Sequence, residues 1–192
     1  MTPFLPTLFT IALAETGGGV ARVSQKLAHN KVSTSSSFMA LGLIATAAMG
    51  FAGASAIGIQ LIEPMGVRAR ALLLGIALIW GGAGQITAPK EFSIAEGGRA
   101  LVVALRSYAR VFMGNRSTFI VFGIALVNGG DAITVLGATL GGILGIVAAN
   151  LPPLLLPVRA SINANLSAIR LLSGVILALI GFYFLLTALK LI

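Results

Sequence analysis

Residues 10–18 read TIALAETGG and residues 123–131 read GIALVNGGD, so one outline occurs twice, 113 residues apart. In each copy an apolar segment containing Ile-Ala-Leu is followed by a polar side chain and a pair of glycines. Glu15 belongs to the first copy and Asp131 to the second. The repetition predicts two equivalent segments, each of which carries one carboxylate.

The composition is that of a polytopic α-helical membrane protein. Of the 192 residues 57% are hydrophobic and 9% are charged, and the mean hydropathy is +1.02. Long, nearly uncharged runs predict membrane-spanning helices, whereas a β-barrel would show alternating segments of about ten residues. Inside a membrane an ionisable side chain is costly to bury and marks a functional site by default. Glu15 and Asp131 are therefore the first candidates.

The net charge of +8 comes from basic residues that stand singly between the apolar runs. This distribution favours a role in membrane topology over nucleic-acid binding. The absence of cysteine excludes disulfides, thiolate metal sites and thiol catalysis. Nothing favours a nucleophile–histidine–acid set built on the single histidine, His29, so we do not expect an enzyme.

Hydropathy predicts six spans, which cover residues 4–27, 38–62, 71–88, 118–139, 140–157 and 171–189. Residues 1–88 form a first three-helix repeat, residues 89–116 a cytoplasmic linker, and residues 117–192 a second three-helix repeat. The linker is interpreted as a loop helix that follows the charge rule, with an amphipathic interfacial helix as the alternative. Most basic residues fall on one side, which places both termini on the non-cytoplasmic side of a membrane, in a bacterium the inner membrane.

Spans three and six also resemble each other, because glycines seven residues apart recur at Gly75 and Gly82 and at Gly174 and Gly181. Each half has an odd number of spans, so the second half must enter the membrane in the opposite orientation. Inverted repeats of this kind are typical of secondary transporters, whose sites lie near the midplane on interrupted helices. The predicted fold is an all-α membrane protein with six transmembrane helices in two inverted three-helix repeats. Helices 1 and 4 are predicted to be interrupted at midplane.

The two motif copies resemble the signature of the Gdt-one and transmembrane protein 165 family of small cation–proton exchangers, part of the LysE-type transporter superfamily. That signature is Glu-x-Gly-Asp-(Lys/Arg)-(Thr/Ser), once per repeat. Glu15 and Gly17 match it in the first copy, and Gly130 and Asp131 match it in the second. The resemblance implies a secondary transporter that exchanges Ca²⁺ or Mn²⁺ for protons, with the motif carboxylates binding the ion.

Gly18 and Asn128 stand where the family has a carboxylate, so one acidic side chain remains in each half. The predicted metal ligands are Glu15 and Asp131, which together would neutralise one divalent cation. Hard cations take further oxygen ligands from amides and backbone carbonyls. The other predicted ion-binding residues are Asn128, Gly17, Gly18, Gly130, Thr16 and Thr134. Membrane threonines more often bond their own helix backbone.

Two alternatives to cation–proton exchange remain open. One is export of a small organic solute. The other is a non-transporting scaffold in which Glu15 and Asp131 are neutral, hydrogen-bonded groups that hold the two halves together. Gln85 either lines a pathway or, in the favoured interpretation, forms a hydrogen bond between helices. No permanently bound cofactor is expected; the expected partners are the lipid bilayer, a divalent cation and protons, with homo-oligomerisation left open.

Overall fold

The computed structural model describes residues 4–15, 19–62, 65–87, 93–95, 97–112, 116–128, 131–155 and 159–191. Over these residues the regular structure is entirely helical, which confirms the predicted all-α class. The helices are α1 (Phe4–Glu15), α2 (Gly19–His29), α3 (Thr34–Ile62), α4 (Val67–Ile86), α5 (Ala100–Phe112), α6 (Arg116–Asn128), α7 (Ala132–Leu155) and α8 (Arg159–Leu189).

Three of these helices are long and apolar enough to cross a membrane: Thr34–Gly58 within α3, the whole of α4, and Arg170–Leu189 within α8. Helices α5 and α6 would add a fourth span if they are taken as one span bent by 63°. Helix α1 and the first part of α7 are apolar but shorter. The chain is therefore a membrane-embedded protein, while the six spans and their inverted repeat remain predictions.

Helix α7 runs without a break through residues 139 and 140, where the sequence predicted the boundary between two spans. The glycines in this region serve close packing instead of a turn. Gly137, Gly141 and Gly145 lie one helical turn apart and therefore share one face. A β-carbon at Gly137 would lie 2.7 Å from the backbone oxygen of Phe4.

The same close contact repeats along α1. Gly141 lies against the backbone oxygen of Leu8, and a β-carbon at Gly145 would lie 2.5 Å from that of Ala12. Small residues at four-residue spacing allow two membrane helices to approach backbone to backbone. Because residue numbers increase together in both helices, α1 and α7 run parallel.

Helices α4 and α8 pack against each other through four glycines. Gly75 lies opposite Gly181, and Gly82 lies opposite Gly174. A β-carbon at Gly82 would lie 2.5 Å from the Gly174 oxygen, and one at Gly181 would lie 2.7 Å from the Gly75 oxygen. Since residue numbers rise in one helix and fall in the other, the two helices are antiparallel. These are the glycines that make spans three and six similar in sequence.

The segment predicted as a linker contains α5, which packs into the helical bundle. Ala104 and Tyr108 are fully buried, and the Tyr108 hydroxyl lies 2.8 Å from the Ser37 Oγ of α3, within hydrogen-bond distance. Arg106 and Arg110 are exposed. Helix α5 is therefore amphipathic and has a buried apolar face.

A lysine adopts the left-handed backbone conformation just after the end of α2: Lys31 has a φ of 56°. Its N–H donates to the Ala28 oxygen at 3.1 Å, and the Val32 N–H donates to the Leu27 oxygen at 3.0 Å. This pair of bonds is a Schellman motif, in which glycine usually occupies the left-handed position.

Candidate functional site

Both motif copies coincide with the ends of helices. Helix α1 ends at Glu15 and α2 begins at Gly19, while α6 ends at Asn128 and α7 begins at Ala132. The last turn of a helix has carbonyl oxygens without intrahelical partners, so each copy places such oxygens beside a polar side chain. Four of the predicted site residues lie outside the described residues: Thr16, Gly17, Gly18 and Gly130.

Glu15 is buried inside the bundle, with 1% of its surface exposed. The Ser117 hydroxyl donates a hydrogen bond to its Oε1. Ser117 belongs to the first turn of α6, where the helix dipole favours a negative charge. Helix α7 contributes Gly145, at which a β-carbon would lie 3.0 Å from that of Glu15. The carboxylate therefore lies where the end of α1, the start of α6 and the middle of α7 meet.

Gln85 of α4 bonds to the same end of α1. Its Nε2 donates a hydrogen bond to the backbone oxygen of Ala14, so Gln85 forms the helix-to-helix bond that the sequence interpretation favoured. Because the amide nitrogen must face this carbonyl, the orientation of the amide is determined. Gln85 is 5% exposed, and its Oε1 is buried without a hydrogen-bond partner among the described residues. An unpaired buried acceptor costs about 1–3 kcal/mol, which a cation or a proton donor would offset.

Arginine side chains lie at the same end of the bundle. The guanidinium of Arg116 covers Gly84 so closely that a β-carbon there would overlap it. Arg170 lies one turn before the α8 glycine that packs against Gln85, and its Nε is buried without a partner in the described part of the chain. Arg22 of α2 lies close enough to Arg170 for their like charges to interact. Positive charge is therefore concentrated at the end of the bundle that holds Glu15.

This site lies at the ends of helices and not at their midpoints. Glu15 is the last residue of α1, Gln85 the next-to-last residue of α4, and Ser117 the second residue of α6. Helix α4 is itself long and apolar enough to cross a membrane. The sequence predicted that helix 1 is interrupted near Glu15 at the midplane; α1 has 12 residues and ends at Glu15, while its depth in a membrane stays a prediction.

Asp131 is exposed and caps a helix. Its Oδ1 accepts a hydrogen bond from the Ile133 N–H at 3.3 Å, and its backbone oxygen accepts one from the Thr134 N–H at 2.9 Å. Such bonds satisfy donors that the start of α7 would otherwise leave unpaired. Asp131 therefore has a local structural partner, its own helix.

The structure does not bring Glu15 and Asp131 together. Glu15 packs at the level of Gly145, which lies fourteen residues beyond Asp131, or about 20 Å along α7. One ion cannot be coordinated by both carboxylates in this arrangement. Among the described residues there is also no group of three or more His, Cys, Asp or Glu side chains that could hold a metal ion.

The other predicted residues of the second copy lie near Asp131. Asn128 is exposed, and its Nδ2 donates a hydrogen bond to the Ile124 oxygen of its own helix at 3.0 Å. Thr134 is fully buried, and its Oγ1 has no hydrogen-bond partner among the described residues. In the second motif copy, the side chains of Asn128 and Asp131 therefore bond to the backbone of the helices that they end or begin. The Thr134 hydroxyl is buried.

Sequence reasoning did not identify Ser117 or the stripe of Gly137, Gly141 and Gly145. Ser117 precedes an apolar run, a position typical of the first turn of a helix, and the glycines show a four-residue period. Both signals were present, but neither shows which partner the residue contacts. The chain matches no protein-family model, no curated protein and no solved structure in the comparisons made with known proteins.

Proposed function

We propose that the protein is a secondary transporter that exchanges a cation for protons, and that Glu15 is the carboxylate that binds both. The observation that carries the proposal is the burial of Glu15 at the end of α1, where Gln85 bonds to the neighbouring Ala14 oxygen and its own Oε1 has no partner among the described residues. Ionisable groups buried among membrane helices are rare and mark ion or proton pathways.

Competition for one carboxylate would couple the two fluxes. A cation binds Glu15 only when the side chain is deprotonated, and a proton binds only after the cation has left. The Ser117 hydroxyl and the first turn of α6 stabilise the negative form. The C-terminal carbonyls of α1 and the Gln85 Oε1 would provide neutral oxygens to a cation. The resemblance of the motifs to those of the cation–proton exchanger family supports Ca²⁺ or Mn²⁺ as the cation. Glu15 would contribute one formal negative charge to its binding.

The packing of α4 on α8 supports the inverted repeat that such a transporter requires. The glycine pair of one helix meets the equivalent pair of the other in antiparallel orientation. Two helices related by a two-fold axis in the membrane plane would meet in this way. By the positive-inside rule, the end of the bundle that carries Arg116 and Arg170 would face the cytoplasm.

A structural role for Glu15 is the second candidate, because the side chain packs tightly against Gly145 and bonds to Ser117. In this case Glu15 is a hydrogen-bonding group that holds α1 to α6. Polar contacts of this kind between membrane helices contribute about 0.6–2 kcal/mol. A scaffold of this kind would show no cation-dependent proton movement, whether or not Glu15 is replaced.

The test is a flux measurement in proteoliposomes that contain a pH-sensitive dye. Gradients of Ca²⁺, Mn²⁺ and Na⁺ are imposed in turn, and the change in internal pH is followed for the wild type, Glu15→Gln and Asp131→Asn. Asp131→Asn is the matched control, because it also replaces a carboxylate by its amide and asparagine remains a good helix cap.

We expect a cation-dependent pH change in the wild type and in Asp131→Asn, and none in Glu15→Gln. Wild-type flux in Glu15→Gln would refute the role of Glu15. The absence of flux from the wild type with every cation would support the scaffold. Loss of flux in Asp131→Asn as well would contradict the assignment of the site to Glu15 alone.

A further inference from the structure

An apolar groove with a volume of about 550 Å³ lies between α3, α5 and α6, and Glu15 is not among the residues that line it. Among the described residues its polar lining consists of Ser55 and Thr118. The Ser55 hydroxyl donates to the Phe51 oxygen of its own helix at 2.8 Å. Phe51 is 76% exposed and Phe119 is 52% exposed. The surface of the groove is therefore almost entirely apolar and is open to the outside of the helical bundle.

The length of the groove matches one leaflet of a bilayer. Its α3 wall extends from Ile44 to Ser55, eleven residues or about 16 Å along the helix, and a hydrocarbon core is about 30 Å thick. The hydrogen-bonding contact between Ser37 and Tyr108 holds α5 near the first turn of α3, which places Ala109 of α5 at the end of the groove nearest the start of that helix.

Two arginines lie on α5, the helix that contributes Ala109 and Phe112 to the groove. Arg106 and Arg110 are exposed and lie one turn apart on α5. Both belong to the exposed face of this helix, so α5 carries two positive charges where it borders the groove. On the cytoplasmic side, where basic residues accumulate, the membrane surface is rich in anionic lipids.

We propose that the groove binds one acyl chain of an anionic phospholipid, whose phosphate pairs with Arg106 and Arg110. The apolar lining fits the chain, and the two arginines on the exposed face of α5 fit the headgroup charge. A groove one leaflet long is too short for a helix of a second copy that spans the membrane. The site does not depend on ion transport at Glu15.

The experiment measures the lipid that stays with the full-length protein. Purified protein is equilibrated in mixed micelles with equal amounts of phosphatidylglycerol and phosphatidylcholine that have identical acyl chains. The protein is then re-isolated, and retained lipid is counted per chain by mass spectrometry. The variants are Arg106→Gln/Arg110→Gln at the headgroup end and Ala47→Trp in the lining. The charge-matched control is Arg68→Gln/Lys190→Gln, which removes two exposed positive charges outside α5.

We expect about one phosphatidylglycerol per wild-type chain, and about a tenfold loss of the preference for it in Arg106→Gln/Arg110→Gln. Ala47→Trp should lose both lipids, and the control should resemble the wild type. Arg106→Lys/Arg110→Lys keeps the charge and should keep most of the preference, which separates headgroup pairing from misfolding.

Three results would overturn the proposal. The first is equal retention of both lipids by the wild type. The second is an unchanged preference in Arg106→Gln/Arg110→Gln, and the third is full retention of lipid in Ala47→Trp. Cross-linked dimers that carry no lipid would assign the groove to a second copy of the chain.

Discussion

The contact between α1 and α7 can be tested by two alanine substitutions three residues apart. A β-carbon at Gly145 would lie 2.5 Å from the Ala12 oxygen, whereas one at Gly142 would lie 3.8 Å from its nearest neighbour, Ile11 Cγ2. Ordinary contacts begin near 3.4 Å. Gly145→Ala therefore requires α1 to move by about 0.9 Å, and the contact is with backbone, which cannot rotate away as a side chain could. Gly142→Ala requires no movement.

The two variants share the gain in helix propensity, about 1 kcal/mol for glycine to alanine inside a helix, so their difference isolates the steric cost. Overpacking of this kind costs about 1–3 kcal/mol. We expect Gly142→Ala to raise the free energy of unfolding. The free energy of unfolding of Gly145→Ala should be about 1–3 kcal/mol lower than that of Gly142→Ala. For a chain of this size the difference corresponds to roughly 2–12 °C in Tm.

The assay is thermal unfolding in detergent micelles, followed by the circular dichroism of the helices. Equal Tm values for the two variants, or a lower value for Gly142→Ala, would refute the parallel backbone contact between α1 and α7. Because Ala12 and Glu15 belong to the same helix, displacement of α1 also changes the position of Glu15 relative to Ser117. If Glu15 binds the cation, Gly145→Ala therefore reduces proton-coupled flux and Gly142→Ala does not.

Two further predictions concern stability. Tyr108→Phe should lower the free energy of unfolding by about 1 kcal/mol, because the buried Ser37 hydroxyl loses its partner; the same loss in a Ser37→Ala background would show that the two hydroxyls do not interact. Lys31→Gly should raise the free energy of unfolding by about 1 kcal/mol, because glycine adopts the left-handed conformation without strain. Thermal unfolding checks this second prediction, and a lower Tm would contradict it.

The geometry around Glu15 limits how an exchanger could work. The end of the bundle that holds one buried carboxylate also carries Arg22, Arg116 and Arg170. If Glu15 binds a cation, these guanidiniums would repel the ion on its approach, and protonation of Glu15 would remove the negative charge that attracts it. Exchange at this site would then depend on the protonation of one carboxylate.

The sequence was sufficient where one property of a segment decides its structure. Apolar composition predicted helices in a membrane, because only structures that satisfy their own backbone bonds are stable in lipid. The motif glycines predicted helix interruptions near Glu15 and Asn128, and described helices end at both residues. The similarity between Gly75–Gly82 and Gly174–Gly181 identified two helices that do contact each other.

The tertiary structure alone decided which side chains meet. Glu15 and Asp131 are the carboxylates of the two motif copies, yet one is buried against Ser117 and the other caps α7 in an exposed position. The difference arises because α1 packs on the glycine face of α7 in a register that places Glu15 at the level of Gly145. This level is about 20 Å along α7 from Asp131. Periodicity shows which face of a helix is small or apolar, but the register of two packed helices depends on contacts between residues distant in sequence.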